Sequence, residues 1–159
     1  MDEFPGKQIK FPFYSDVKLE TGKKIFKRLL EGVSIHDKKG WIYSFYKKID
    51  GTWQEQSLKI GRTDNSVEKR LRQWTNQCGE ELKIKKSWET KWNHLTETLV
   101  HLELKDRGLW LGNINGGGKC NYEIQKEWFS ASVFHEIDNV VSYWVRYVDA
   151  LERYYYQEL

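Results

Sequence analysis

The sequence predicts an α+β fold: a small three-stranded antiparallel sheet flanked by helices, with an N-terminal helical extension and a long C-terminal helix. Three observations carry that expectation. A β-branched and aromatic run, Trp41 to Tyr46, leads into the turn signal Ile49-Asp50-Gly51-Thr52 and a return run from Trp53 to Ile60, the pattern of a hairpin closed by an Asp-Gly turn. Leu82-Lys83-Ile84-Lys85 alternates apolar with basic, as a half-buried strand at a sheet edge does. Around these runs lie segments whose apolar residues recur at helical spacing, and short antiparallel strands interleaved with helices form an α+β sandwich.

Residues 1–20 read as irregular, punctuated by Pro5, Gly6 and Pro12. Residues 21–31 read as a short helix, with Ile25, Phe26, Leu29 and Leu30 on one face, Thr21 as N-cap and Gly32 after its end. The hairpin follows, its second strand ended by Gly61. Asn65-Ser66-Val67-Glu68 has the form of a capping box, so a helix is expected from Ser66 to Gln77. Val67, Leu71 and Trp74 form its apolar stripe, while Lys69, Arg70, Arg72 and Gln73 cover the rest. After the edge strand, a helix from Lys91 to Lys105 buries Leu95, Leu99 and Leu102. Arg107 to Cys120 reads as a loop, most flexible at Gly116-Gly117-Gly118. Order resumes at Glu127-Trp128-Phe129, and a last helix runs from Glu136 to Tyr156 with Val140, Val141, Trp144, Tyr147, Val148 and Leu151 as its stripe. The organisation expected is an extension over residues 1–39 and one domain over 40–159.

Composition narrows the functional classes. A chain of 159 residues supports one domain with a real core. Charged residues make up 31% of it, and no run of about eighteen apolar residues exists, so no membrane partner is expected. The first ten residues hold no apolar signal-type stretch, which points to an intracellular protein, cytoplasmic or nuclear. The two cysteines, Cys78 and Cys120, make no disulfide framework and sit in no zinc-site spacing; the expectation is two reduced thiols. A net charge of +3 permits a nucleic-acid partner without demanding one. Eight Trp, nine Tyr and seven Phe are assigned chiefly to the core.

Four positions stand out chemically. Tyr43 sits mid-strand, Lys59 closes the second strand, Arg70 lies in the first turns of the capped helix, and Glu97 lies on the next helix between His94 and His101. At about 100° per residue, His94, Glu97 and His101 share a narrow sector about a quarter-turn from the leucine stripe. A carboxylate at such a rim can hold a hard cation, which keeps most of its waters. A solvated polar face with boundary histidines fits the same pattern.

Gly40-Trp41-Ile42-Tyr43, Leu58-Lys59-Ile60-Gly61-Arg62-Thr63, Val67-Glu68-Lys69-Arg70-Leu71 and Glu97 to Leu104 together resemble, in order and spacing, the GIY-YIG nuclease superfamily. The closest resemblance is to the branch of a phage T5 open reading frame and of fungal meiotically up-regulated proteins, whose late motif Glu127-Trp128-Phe129 also fits. The resemblance implies a DNA endonuclease dependent on Mg²⁺ or Mn²⁺. Tyr43 would help deprotonate the attacking water, with Lys59 or Arg62 lowering a phenol pKa of about 10. Arg70 would hold the scissile phosphate. Glu97 would be the metal-binding carboxylate, its ion stabilising the leaving oxygen. Lys59, where many members carry a tyrosine, would assist with nucleophile or phosphate, and His101 would support Glu97. Arg62, Lys69 and Arg72 would contact nucleic acid. Three departures accompany the match: Trp41 replaces the first glycine, Gln125 stands where a histidine precedes the late glutamate, and Trp74 takes the place of a histidine found in some homing endonucleases. Two other readings compete: a nucleic-acid-binding module on the same fold without cleavage, and a protein-interaction domain, which would show no salt-sensitive nucleic-acid binding.

Overall fold

The hairpin forms where the Asp-Gly signal places it. β1 spans Gly40–Ile49 and β2 spans Thr52–Thr63. The turn residues Asp50 and Gly51 take φ values of 49° and 79°, the left-handed pair that a two-residue turn matching the strand twist requires. The computed structural model describes residues 17–115 and 124–155. The irregular N-terminal stretch with Pro5 and Pro12, the Gly116–Gly118 segment, Cys120 and the last residues from Tyr156 lie outside them.

The sheet has four strands, not three. β3, Leu82–Thr90, lies antiparallel beside β1 and forms one edge, as its alternation of lysines foretells. β4 (Ile114–Asn115) and β5 (Ile124–Gln125) make a separate two-stranded ribbon. β6, Trp128–Ser130, pairs with β2 from Ser57 to Lys59 and completes the order β3-β1-β2-β6. The Glu127-Trp128-Phe129 run marks the place of this fourth strand, but three residues are too few to show an alternation. β2 also runs on through Gly61 instead of ending there.

The helices bracket the sheet. α1, Leu19–Glu31, buries Ile25 and Leu29 against the third helix rather than on the sheet itself. It begins two residues before Thr21, which is inside the helix and not its cap. α2, Val67–Cys78, is capped by Ser66, whose Oγ accepts the Lys69 N–H at 3.2 Å; the cap is one residue later than an Asn65 capping box would have it. α3 covers Asn93–Asp106 and α4 Phe134–Tyr155. The loop before β1 stitches α1 to α3. The Asp37 carboxylate, fully buried, accepts the Leu95 N–H at 2.7 Å and the Ser34 N–H at 2.9 Å, so a remote side chain satisfies an N-terminal donor of α3. No described helix is long and apolar enough to cross a membrane. Cys78 is buried and disulfide-bonded, which replaces the reading of a reduced thiol at that position.

The two faces of the sheet are covered unequally. Ile42, Tyr46, Leu58 and Ile60 point into a large core with Leu95, Leu99, Val140 and Trp144 from α3 and α4. Tyr43 and Phe45 point to the opposite face, where only α2 covers them through Val67, Leu71 and Trp74.

Candidate active site

β6 covers the outer edge of β2 only as far as Lys59. One further backbone bond, from Ile60 N to Glu127 O at 2.9 Å, ends the pairing. Beyond that point side chains from both faces of the sheet meet around the open edge of β2. The result is an open cleft of about 400 Å³ lined by Tyr43, Arg62, Arg70, Glu97 and Glu127, among others.

Gly61 makes this geometry possible. It lies directly across from Tyr43 in the β1–β2 register. The phenol ring lies over it, so closely that a Cβ there would sit 2.4 Å from the hydroxyl and 2.6 Å from the ring carbon bearing it. A side chain at this position is sterically excluded, and its absence lets a residue from the α2 face reach the cleft. Tyr43 also stacks on Phe45, with ring centroids 4.2 Å apart.

Arg70 and Lys59 come from the same face. Their cationic groups lie 5.0 Å and 4.1 Å from the centre of the Trp74 ring, so this indole holds two like charges by its π-face. Lys59 is almost fully buried and points its Nζ at Glu127 Oε1, 3.3 Å away. Burial weakens its ammonium and lowers the pKa, while Glu127 opposes the shift.

Glu97 and His101 come from α3 on the other face, one turn apart. Arg62 Nε lies 3.4 Å from Glu97 Oε1. His101 Nε2 lies 2.8 Å from the Ile60 carbonyl. A carbonyl only accepts, so Nε2 carries the proton and the lone pair rests on Nδ1. Burial lowers the His101 pKa and keeps the ring neutral, although Glu127 and the carbonyl pull the other way. Burial, and then the Glu127 carboxylate, push the Glu97 pKa up to about 8, with Arg62 and Lys59 offsetting part of the rise.

Several predicted positions fall elsewhere or behave differently. Lys69 and Arg72 are exposed on α2 and do not line the cleft. His94 turns away from Glu97 to Ser34 Oγ at 3.2 Å and packs edge-on to His36. The phenol of Tyr43 is shifted upward, to about 12, first by burial and then by Glu127; the cation opposing this is Arg70, not Lys59 or Arg62. Gln125 is buried and accepts the Trp128 indole N–H at 2.6 Å, a bracing contact for β6. The sequence reading gave Glu127 no role, yet it touches Lys59 and acts on Tyr43, Glu97 and His101. Its signal was its place at the head of the late motif Glu127-Trp128-Phe129.

A short antiparallel sheet thus brings a tyrosine, an arginine and two carboxylates to one open edge. The sequence profile of the T5orf172 domain, the phage T5 open-reading-frame domain of the GIY-YIG-like nuclease branch, matches residues 40–145, and the chain belongs to that family. Neither the comparison with curated proteins nor that with solved structures gave a match.

Proposed function

We propose that this protein is a metal-dependent endonuclease that hydrolyses phosphodiester bonds in DNA with a single divalent cation, Mg²⁺ or Mn²⁺. The observation that supports this most is the meeting of Tyr43, Arg70 and Glu97 in one cleft, although they come from opposite faces of the sheet. The donor set suits a cation. Burial, and then the neighbouring Glu127 carboxylate, raise the Glu97 pKa to about 8, and a positive ion is what relieves such a site.

Hydrolysis needs an aligned water, neutralised phosphate oxygens and help for the leaving group. The Tyr43 hydroxyl, protonated at neutral pH because of its burial, orients the water by hydrogen bonding. Arg70, at the cleft wall, clamps the scissile phosphate and offsets charge as it develops. Arg62 holds Glu97 in place. Lys59, weakened by burial, is the titratable group on the same face as Tyr43 and keeps Glu127 turned toward the cleft. A divalent cation carried by Glu97 supplies electrostatic stabilisation of the leaving oxygen. Lys69 and Arg72, on the solvent side of α2, lie where flanking phosphates would run. A binding module without cleavage is the second reading, favoured by the firmness with which Tyr43 keeps its proton.

The test is cleavage of supercoiled and branched DNA with Mg²⁺ or Mn²⁺ by purified protein, beside Glu97→Ala and Tyr43→Phe. Each substitution is expected to lower the rate by about 10²-fold or more. Cleavage that survives both substitutions would sink the enzyme reading. Salt-sensitive binding without any cleavage would select the binding module.

A further inference from the structure

The cleft holds more ligand atoms than a single-carboxylate site needs. A carboxylate oxygen of Glu97, one of Glu127 and a ring nitrogen of His101 all lie within 4.8 Å of one another. Donors around one octahedral ion at about 2.1 Å sit about 3 Å apart when adjacent and about 4.2 Å when opposite, so small side-chain rotations bring this set to coordination distance. Glu97 and His101 are four residues apart on α3 and so share its face. Glu127 arrives from the start of β6, across the open edge of β2.

A second observation, independent of the clustering, points to a ligand. His101 donates its Nε2 proton to the backbone carbonyl of Ile60 at 2.8 Å. Metal-binding histidines are held in this way, with the non-coordinating N–H fixed on a carbonyl or carboxylate so that the other nitrogen offers its lone pair. Glu127 is oriented in turn by Lys59 at Oε1 and shares a hydrogen bond with Glu97. Each of the two residues joining Glu97 therefore has a bracing contact from the protein.

Resting on the nuclease reading above, we infer that the cation is held by three protein donors, Glu97, His101 and Glu127, and that this site takes Mn²⁺ in preference to Mg²⁺. One imidazole nitrogen among oxygens tilts selectivity toward the borderline first-row ions, whereas Mg²⁺ prefers oxygen alone. Two carboxylates balance the charge of the ion. Glu127 is thus a ligand as well as a partner of Lys59, and the late Glu-Trp-Phe motif completes the metal site.

The experiment uses the full chain, stripped with EDTA, and the metal alone without nucleic acid. Calorimetry measures Mn²⁺ and Mg²⁺ affinity for the parent protein, Glu97→Gln, Glu127→Gln and His101→Gln. Pulsed electron paramagnetic resonance on the Mn²⁺ complex reads coupling to a directly bound nitrogen. The expected result is a Kd for Mn²⁺ at least about tenfold below that for Mg²⁺, with each substitution weakening Mn²⁺ by about tenfold or more. The nitrogen coupling is present in the parent and lost in His101→Gln, whose amide still donates to Ile60 and whose fold is checked by unfolding in EDTA. Mn²⁺ affinity that depends on Glu97 but not on Glu127 or His101, or the absence of nitrogen coupling, overturns the three-donor site while leaving the nuclease proposal standing. Failure of the parent to bind either ion overturns both the site and metal dependence.

Discussion

The two faces of the central sheet solve different problems. On the α3–α4 face, apolar residues from three helices and four strands interlock, and the buried Glu103 carboxylate is paired: Trp144 donates to it at 2.9 Å, and Arg107 at 2.8 Å. On the α2 face a single amphipathic helix covers Tyr43 and Phe45, and the space near its end is occupied by Lys59, Arg70 and Trp74. One face carries the stability. The other can hold like charges and a tyrosine at an open edge because the opposite face stabilises the domain. The cleft forms where the two meet, at the stretch of β2 that β6 leaves uncovered.

Substitutions separate the two faces. Trp144→Ala should show the largest effect, a loss of about 3–5 kcal/mol in chemical unfolding, since it opens a cavity and strips a buried carboxylate of a donor. Trp74→Ala, where the indole is only partly buried, should cost less than half of that yet remove cleavage, because Lys59 and Arg70 lose their shared ring. An equal stability loss at both tryptophans would break the comparison. Gly61→Ala comes next. Its Cβ would displace the Tyr43 ring, so the unfolding free energy should fall by about 1–3 kcal/mol and cleavage at least as far as in Tyr43→Phe.

Glu97 gives a pH signature. Its folded pKa, about 8, lies above the ordinary glutamate value of 4.5. Between these values the folded state binds more protons than the unfolded state, so the ion-free protein loses stability as pH rises from about 4.5 to about 8. The slope is at most about 1.4 kcal/mol per pH unit for one group. Glu97→Gln should flatten it, as measured by thermal unfolding in EDTA across that range; an unchanged slope would show that the carboxyl pair is not strained. The smallest effect is expected at Ser66→Ala, about 1 kcal/mol from the lost cap of α2, with cleavage retained unless the first turn positions Arg70.

Local pattern made most of the fold legible. The hairpin, its turn, the lysine-bearing edge strand and the helices each follow from periodicity or from a short-range signal. The misplaced boundaries are local as well: Lys18 precedes α1 without a side-chain cap, and Ser66 outcompetes Asn65. Of the chemical positions, Tyr43, Arg70 and Glu97 were visible through the family pattern, and the profile match to the T5orf172 domain agrees with that resemblance. His94 was drawn into the same group by helical angle alone, but the α1–β1 loop supplies a nearer partner in Ser34.

The sequence by itself determined the classes of element, the edge position of β3, the side of α2 that bears basic residues and the family. Each of these depends on residues within a few positions of one another, where spacing and propensity decide. Only the tertiary structure decided that a three-residue strand would close the sheet, that it would stop at Lys59, and that Glu127 would thereby stand beside Glu97 and His101, about thirty residues away along the chain. Burial also set the proton affinities of Tyr43, Lys59 and Glu97, because desolvation depends on what packs around a group and not on its neighbours in sequence.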